Sequence, residues 1–217
     1  MISITTYHSK FLKAESRAKV ADLTSHMYSS YADGSIAVHD IFLQPDAAML
    51  FQRTAFEQCI VMPVFGSVIV QQGGTMTEIA PGQLYGPFRG SAYDIKLVNP
   101  LSEEAINCLI IGMNTIDQYT TPSISDIHLT AKDRLENASG FAKHIRVGVY
   151  GSRIKGRVPL QRSDGAIFAY VVNGSFEVEE RLMEYRDGLL LWHVEQIEFQ
   201  SLSEAAIILF IECSPLK

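Results

Sequence analysis

The sequence predicts an all-β protein built from two copies of one domain, and two observations carry this prediction. Short segments rich in Val, Ile, Phe and Tyr are bounded by Gly, Pro, Asn or Asp, with turn signals roughly every 8–12 residues. A repeat is also present, because VFGSVIV at 64–70 resembles VNGSFEV at 172–178, and LSEEAI at 101–106 resembles LSEAAI at 202–207. Repeated units of short strands indicate two β-sandwiches or barrels in tandem.

The predicted elements follow the repeat along the chain. Residues 10–30 have the propensity for a helix, although they also fit a β-rich N-terminal arm. Residues 114–143 are polar and irregular, which is typical of a connector. We therefore predict a first domain with its arm at 1–113, a connector at 114–143 and a second domain at 144–217. The predicted strands are QCIVMPVFG, SVIVQQ, AYDIKLVN, INCLIIGM, HIRVGVYG, IFAYVVNG, SFEVEE, LLLWHV, IEFQSL and AIILFIE.

Composition narrows the class of protein. Among 217 residues, 47% are hydrophobic and 19% are charged, which indicates a folded chain rather than a disordered one. The net charge of −6 argues against direct nucleic-acid binding. Cys59, Cys108 and Cys213 each lie in an apolar stretch, so we expect buried free thiols. No apolar run is long enough for a membrane helix and no signal peptide is evident, so we expect a cytoplasmic protein without membrane contact.

Four stretches of the chain carry a resemblance: GSIAVHDIFLQPDAAMLF, VMPVFGSV, VNPLSEEAINCLIIGM and RVGVYGSRIKGRVPL. They resemble the pirin-related proteins, which are bicupins, and the resemblance spans about residues 30–217. It implies two tandem cupin barrels, of the jelly-roll-like double-stranded β-helix kind, with little helix. It also implies a divalent metal such as iron, held in active cupins by His-x-His and a carboxylate on one strand and a further His two strands later.

The first copy lacks histidines at the positions that the resemblance assigns to the metal. The His-x-His place reads Phe51-Gln52-Arg53-Thr54-Ala55, and the later place holds Tyr93 and Asp94. Arg53 would put a fixed positive charge near the cation, while Glu57 is left as a lone carboxylate candidate. We therefore expect no metal of the family kind, with a fallback set of His39, Glu57 and Asp94.

The second copy lacks the same ligands. The corresponding places fall near Arg162-Ser163-Asp164, Ile167 and Glu198. A basic run from Arg146 to Arg162 could line the mouth of this barrel or protect a solvated edge strand. Phe168, Tyr170 and Trp192 could form a pocket wall or fill the barrel. The candidate pocket residues over both copies are Arg53, Glu57, Cys59, Tyr93, Asp94, Arg162, Tyr170, Trp192 and Glu198.

Two functions follow from this pattern. The preferred one is a metal-free bicupin that binds a small molecule or a protein partner, with a regulatory role by analogy with the family. The alternative is a metal-dependent dioxygenase of the quercetin 2,3-dioxygenase kind, using His39 with Glu57, Asp94 or Tyr93. The resemblance to cupins also implies a homodimer. Adjacent to His39, Asp40 could orient its imidazole, although a purely structural histidine is the simpler interpretation.

Overall fold

A computed structural model describes residues 8–32, 34–52, 56, 58–89, 94–114, 121–129, 131–142, 144–160 and 165–213. The chain divides into two compact units. The N-terminal unit lies within Arg17–His128 and Asn137–Lys143, and the C-terminal unit lies within Met1–Ser16, Leu129–Glu136 and His144–Lys217.

The regular secondary structure of the described residues is almost entirely β-strand, which confirms the predicted fold class. Short 3-10 turns occur at Ala14–Ser16 and Gly140–Ala142. No described helix has the length and apolar character needed to cross a membrane. The strands are β1 (His8–Leu12), β2 (Ala18–Ala21), β3 (Ser25–Ala32), β4 (Ile36–Leu43), β5 (Ala48–Phe51), β6 (Gln58–Phe65), β7 (Val68–Gln72), β8 (Thr75–Ile79), β9 (Gln83–Arg89), β10 (Ile95–Val98), β11 (Ile106–Met113), β12 (Ser123–Asp126), β13 (Arg134–Asn137), β14 (Ile145–Tyr150), β15 (Lys155–Pro159), β16 (Ala166–Asn173), β17 (Phe176–Val178), β18 (Arg181–Met183), β19 (Gly188–Trp192), β20 (Gln196–Ser201) and β21 (Ala206–Cys213).

The N-terminal unit is formed by a large and a small antiparallel sheet. The large sheet has the order β12-β9-β6-β11-β4-β3-β2, and the small one has the order β5-β10-β7-β8. Alternate side chains of the strands point into one apolar core, which includes Phe51, Val61, Phe88 and Leu97. Every residue of β11 is buried, which explains why INCLIIGM reads as a continuous apolar run rather than an alternating one.

The C-terminal unit repeats this architecture. Its large sheet has the order β1-β19-β16-β21-β14-β13, and its small sheet has the order β15-β20-β17-β18. The core includes Tyr150, Val171, Phe199 and Phe210. Each small sheet therefore matches the other strand for strand, and β6, β11 and β4 of one large sheet match β16, β21 and β14 of the other.

The duplication extends to an irregularity in the register. The pairing of β6 with β11 shifts between Asn107 and Cys108, and the pairing of β16 with β21 shifts between Val171 and Asn173. A glycine with positive φ follows each shift, at Gly66 (φ 71°) and Gly174 (φ 75°). The Gly-Ser dipeptides at 66–67 and 174–175 therefore mark the same bulge and turn in both copies.

The N-terminal arm is β-rich, and its first strand belongs to the C-terminal unit. Strand β1 pairs with β19 along its whole length, from His8 opposite Trp192 to Leu12 opposite Gly188. In the N-terminal unit, the connector supplies β12, which pairs with β9. The observed division therefore differs from the predicted boundaries at 113/114 and 143/144, since parts of the arm and connector complete the sheets.

One buried carboxylate holds the end of the arm. Asp187 is 2% exposed, and it accepts hydrogen bonds from the backbone N–H of Ala14 (2.8 Å) and of Glu184 (3.0 Å). It also pairs with the ammonium of Lys13 at 3.1 Å. Phe11 packs against the C-terminal core. These contacts link two segments that are more than 170 residues apart in the chain.

We predict that Gly174→Ala destabilises the protein more than Gly73→Ala. A Cβ atom at Gly174 would press on the Ser203 hydroxyl and lie 3.0 Å from Cβ of Ala206, whereas Gly73 has positive φ but no atom within 4 Å. The control should cost about 1 kcal/mol for its backbone conformation alone, and Gly174→Ala about 2–4 kcal/mol. Chemical denaturation measures both free energies of unfolding, and equal losses would contradict the packing argument.

We also predict that Asp187→Ala loosens the N-terminal arm. Two backbone N–H groups would lose their acceptor, so the free energy of unfolding should fall by about 2–4 kcal/mol. Lys13→Ala is the matched control, because the Lys13 side chain is 44% exposed and its ion pair should contribute less than about 1 kcal/mol. Hydrogen exchange should show faster exchange in residues 8–12 of Asp187→Ala; unchanged protection there would rule out this anchoring role.

Candidate functional site

Strand β4 of the N-terminal barrel carries a buried histidine on its inward side. His39 is 1% exposed and lies on the inward side of the strand, two residues before Ile41 of the core. Its Nδ1 lies 2.8 Å from the hydroxyl oxygen of Ser29 on the neighbouring strand β3. Its ring makes edge contacts with Phe51 (centroids 4.9 Å apart) and Tyr31 (5.6 Å). The imidazole is thus fixed by one hydrogen bond and two aromatic rings.

The second nitrogen of this imidazole remains available. Nε2 of His39 is buried and has no hydrogen-bond partner among the described residues. Burial lowers the pKa of His39 from its ordinary value of 6.5 to about 4. The ring is therefore neutral at pH 7, and Nε2 offers either a hydrogen bond or a lone pair within an apolar interior.

Asp40 does not orient His39, contrary to the option left open by the sequence. Consecutive residues of a strand point to opposite faces, so the two side chains diverge. The Asp40 carboxylate instead accepts hydrogen bonds from Arg17 (2.9 Å) and Asn107 (2.8 Å). Ser29 takes the role that had been considered for Asp40.

The C-terminal barrel carries an ion pair at the corresponding position. Arg146 and Glu212 lie on the inward sides of β14 and β21 and form a salt bridge, with side chains only 10% and 14% exposed. Arg146 also donates a hydrogen bond to the carbonyl oxygen of Pro159 at 2.9 Å. The guanidinium is thus neutralised inside the barrel, and the sequence analysis did not anticipate this pair. In the sequence, the indication of this pair was a charged residue, Arg146, within the otherwise apolar segment IRVGVY.

The pairing registers show that His39 and Arg146 occupy equivalent positions. His39 pairs with Ile110 of β11, and Arg146 pairs with Phe210 of β21. Two residues further along, Gly112 stands where Glu212 stands in the other copy. A Cβ atom on Gly112 would lie 2.8 Å from the Phe56 ring, so an aromatic ring covers the place of the carboxylate. The two barrels therefore close this end by different chemistry.

Of the places that the resemblance assigns to the metal of the first copy, the described residues Phe51, Gln52 and Asp94 include no histidine. Cys59 and Phe88 are fully buried core residues, and Asp94 is an exposed residue just before β10. Arg53, Glu57, Tyr93 and Arg162 lie outside the described residues, and none of them is a histidine. His39 alone cannot supply the several nitrogen ligands that such a centre uses. The described residues contain no group of three or more His, Cys, Asp or Glu side chains placed to hold a metal.

The other predicted pocket residues of the second copy do not face the barrel. The inward positions of β16 and β19 are Ile167, Ala169, Val171, Leu189 and Leu191. Strand alternation therefore puts Phe168, Tyr170 and Trp192 on the opposite face of the large sheet, where Trp192 stacks on His8 at 5.9 Å. These three side chains therefore neither form a pocket wall in the barrel nor fill it.

Glu198 is also outside the barrel, on the outer face of the small sheet. It pairs with Arg157 at 3.0 Å, and both side chains are more than 60% exposed. This face borders an open groove of about 910 Å³, lined by Glu177, Glu179, Glu195, Lys155 and His193 among others. From the basic run, Lys155 and Arg157 therefore lie on a solvated face, whereas Arg146 faces inward.

The cysteines are structural in this fold. Cys59, Cys108 and Cys213 are buried and are not in disulfide bonds, as predicted. Burial, with a smaller effect of the Asp40 charge, raises the pKa of the Cys108 thiol to about 12. Burial, with a smaller effect of Glu212, likewise raises the pKa of Cys213 to about 12. Neither thiol is a ready nucleophile at neutral pH.

Comparisons with known proteins match this architecture. Residues 151–212 match the family model Pirin_C_2, described as the quercetinase C-terminal cupin domain. No curated protein sequence matches the chain. YhhW from Escherichia coli is similar in structure, with a TM-score of 0.70 and 14% identity over 96% of this chain and 98% of that one.

Two further structures have the same fold. The nickel(II) complex of bacterial pirin YhhW from Escherichia coli has a TM-score of 0.68 and 14% identity, over 96% of this chain and 99% of that one. Quercetin 2,3-dioxygenase from Acinetobacter baumannii has a TM-score of 0.67 and 13% identity, over 97% of this chain and 80% of that one. Residues 151–212 thus match a quercetinase-type C-terminal cupin domain in sequence, and the duplicated β-sandwich of the chain has the fold of these structures.

Proposed function

We propose that this pirin-like bicupin works by binding, without the family's metal centre, and that its ligand is a small molecule or a protein partner. The observation that carries the proposal is the chemistry of the inward positions, where the described residues place the neutral imidazole of His39 among apolar side chains of the N-terminal barrel. Such a site can recognise a ligand by shape and one hydrogen bond, but it supplies few groups for catalysis.

The N-terminal barrel is the better of the two candidates for a small ligand. Arg146 in the C-terminal barrel is already paired with Glu212 and with a backbone carbonyl. Nε2 of His39 has no such partner among the described residues. A buried polar atom gains most from a ligand that completes its hydrogen bonding.

A second candidate function is a metal-dependent dioxygenase of the quercetin 2,3-dioxygenase kind. The match of residues 151–212 to a quercetinase C-terminal cupin domain favours it. It would draw iron or another divalent ion to His39, with Glu57 and Asp94 as fallback ligands. His39 would contribute one neutral imidazole nitrogen, and two further ligands would have to come from those carboxylates.

Other parts of the proposal concern the setting of the protein. We propose a cytoplasmic location, and a regulatory role by analogy with the family. We propose no direct contact with nucleic acid, because the net charge is −6. Neither function needs a membrane.

The two functions differ in metal content, which is the first measurement to make. We expect protein that is purified without an affinity tag and without chelators to contain far less than one metal atom per chain. Elemental mass spectrometry, normalised to chain concentration, gives this ratio for iron, manganese, nickel and zinc. A ratio near one that falls in His39→Gln would establish the metal enzyme and overturn the binding proposal, whereas a ratio unaffected by His39→Gln would place the metal elsewhere.

We predict that His39 makes the protein less stable in mild acid. The unfolded chain takes up a proton at His39 near pH 6.5, but the folded chain does so only near pH 4. The free energy of unfolding should therefore fall as the pH decreases from 6.5 towards 4, by about 3 kcal/mol in total. Above pH 7 this contribution disappears.

The control for this prediction is His39→Gln, which keeps a neutral polar side chain beside Ser29. Denaturant titrations between pH 7.5 and 4.5 should show that the free energy of unfolding falls less steeply with decreasing pH in the variant. The difference in slope should correspond to at most one proton fewer taken up on unfolding. Parallel pH profiles of the two proteins would mean that His39 is not buried as a neutral ring.

A further inference from the structure

The inward side of strand β3 passes from the core to solvent close to His39. Every second residue of the strand points inward, and Met27 of this set packs against the core. Ser29, which pairs with His39, is buried, whereas Tyr31 is 47% exposed although it lies on the same side of the strand. The ring of Tyr31 makes an edge contact with the imidazole, at 5.6 Å between centroids. On this side, His39 is therefore one side chain away from solvent.

The hydrogen bond between Ser29 and His39 selects one form of the neutral imidazole. If Nδ1–H donated to Ser29 Oγ, the hydroxyl hydrogen would have no acceptor, because Oγ has no other partner in the part of the chain that the structure describes. The lone pair of Nε2 would be unpaired as well. If the hydroxyl instead donates to Nδ1, Nε2–H is the one donor left without a partner. Since each unpaired buried group costs free energy, the second arrangement is favoured.

The inward neighbours of His39 on its own strand and on the next one are apolar. They are Ala37 and Ile41 on β4 and Ile110 on β11, and all three are buried. The ring of Phe51 lies against the imidazole at 4.9 Å between centroids. An ionised ligand would lose its hydration here without an opposite charge from any of these neighbours, which costs much more than the burial of a neutral polar atom that is hydrogen-bonded. The surroundings therefore favour an uncharged ligand.

We propose that Ser29 holds His39 as the Nε2–H tautomer, and that the ligand of this site is a neutral, largely apolar carbonyl compound whose oxygen accepts the hydrogen bond from Nε2. The inference rests on the small-molecule binding function proposed above for the N-terminal barrel, and it names the class of ligand. The apolar part of the ligand packs on the rings of Phe51 and Tyr31. A metal ion would need the lone pair of Nε2, and therefore the tautomer in which the Ser29 hydroxyl loses its acceptor.

The first test determines the tautomer directly. Long-range proton–nitrogen correlation spectra of the full chain, with isotope-labelled histidine and near neutral pH, distinguish a protonated ring nitrogen from an unprotonated one. His39→Gln identifies the signals of His39 by their loss. We expect the proton on Nε2 in the wild type and a mixture of both tautomers in Ser29→Ala. Ser30→Ala is the matched control and should change nothing, because Ser30 points to the opposite side of β3.

Three ring compounds of similar size test the class of ligand. Near neutral pH, cyclohexanone is a neutral carbonyl compound, cyclohexylamine is a cation and cyclohexanecarboxylate is an anion. We expect cyclohexanone to shift the Nε2–H signal of His39 saturably, with a Kd on the order of 1 mM, and the two ions to bind at least tenfold more weakly. His39→Leu removes the donor and should weaken cyclohexanone binding about tenfold, as followed by the amide signals of β3 and β4. Ser30→Ala should leave this Kd unchanged.

The outcomes separate this inference from the binding function on which it rests. If a compound binds at His39 but the wild type carries its proton on Nδ1, or if the amine or the carboxylate binds more tightly than cyclohexanone, the inference is overturned and the binding function stands. Equal effects of Ser29→Ala and Ser30→Ala on the tautomer overturn the role of Ser29. If none of the three compounds shifts the His39 signals, small-molecule binding at this site fails together with the inference. Circular dichroism must show that all variants are folded.

Discussion

The pairing register of the two central strands, β11 and β21, decides the chemistry of both barrels. Each of them is hydrogen-bonded on both sides, to β4 and β6 or to β14 and β16. A slip by one residue would turn a whole set of apolar side chains from the core to the other face. Because the register is fixed in this way, His39 and Arg146 are both held inside an apolar interior.

The two barrels resolve the cost of a buried polar group differently. A guanidinium cannot give up its charge, so Arg146 needs the carboxylate of Glu212 beside it. An imidazole can remain neutral, so His39 needs no counter-ion, and Gly112 with the Phe56 ring takes the place of the carboxylate. The C-terminal barrel is therefore closed by its own ion pair, whereas Nε2 of His39 in the N-terminal barrel has no hydrogen-bond partner among the described residues.

The sequence predicts the fold better than the site, because an error of one residue in aligning the two copies changes the face of a strand on which each side chain lies. Turn-bounded strands and two GS motifs suffice for a duplicated β-sandwich. Aligning LSEEAI with LSEAAI, however, makes Ile106 equivalent to Ile207, whereas the register makes it equivalent to Ala206. One residue reverses the face of a strand, so that alignment would put the wrong side chains of β21 in the core. The ion pair of Arg146 spans 66 residues, and no local pattern indicates it.

The sheets also show why neither unit coincides with its sequence repeat. An exposed strand edge invites further pairing, and each large sheet covers the edge beside β9 or β19 with a strand from outside the repeat, β12 or β1. The segment 151–212 that matches the quercetinase C-terminal cupin domain thus contains β15 to β20 and most of β21, but not β1, β13 or β14. It includes Glu212 but not Arg146. In that segment taken alone, the inward carboxylate of Glu212 resembles a metal ligand. In the folded chain, however, its neighbour is the guanidinium of Arg146, which would repel a cation.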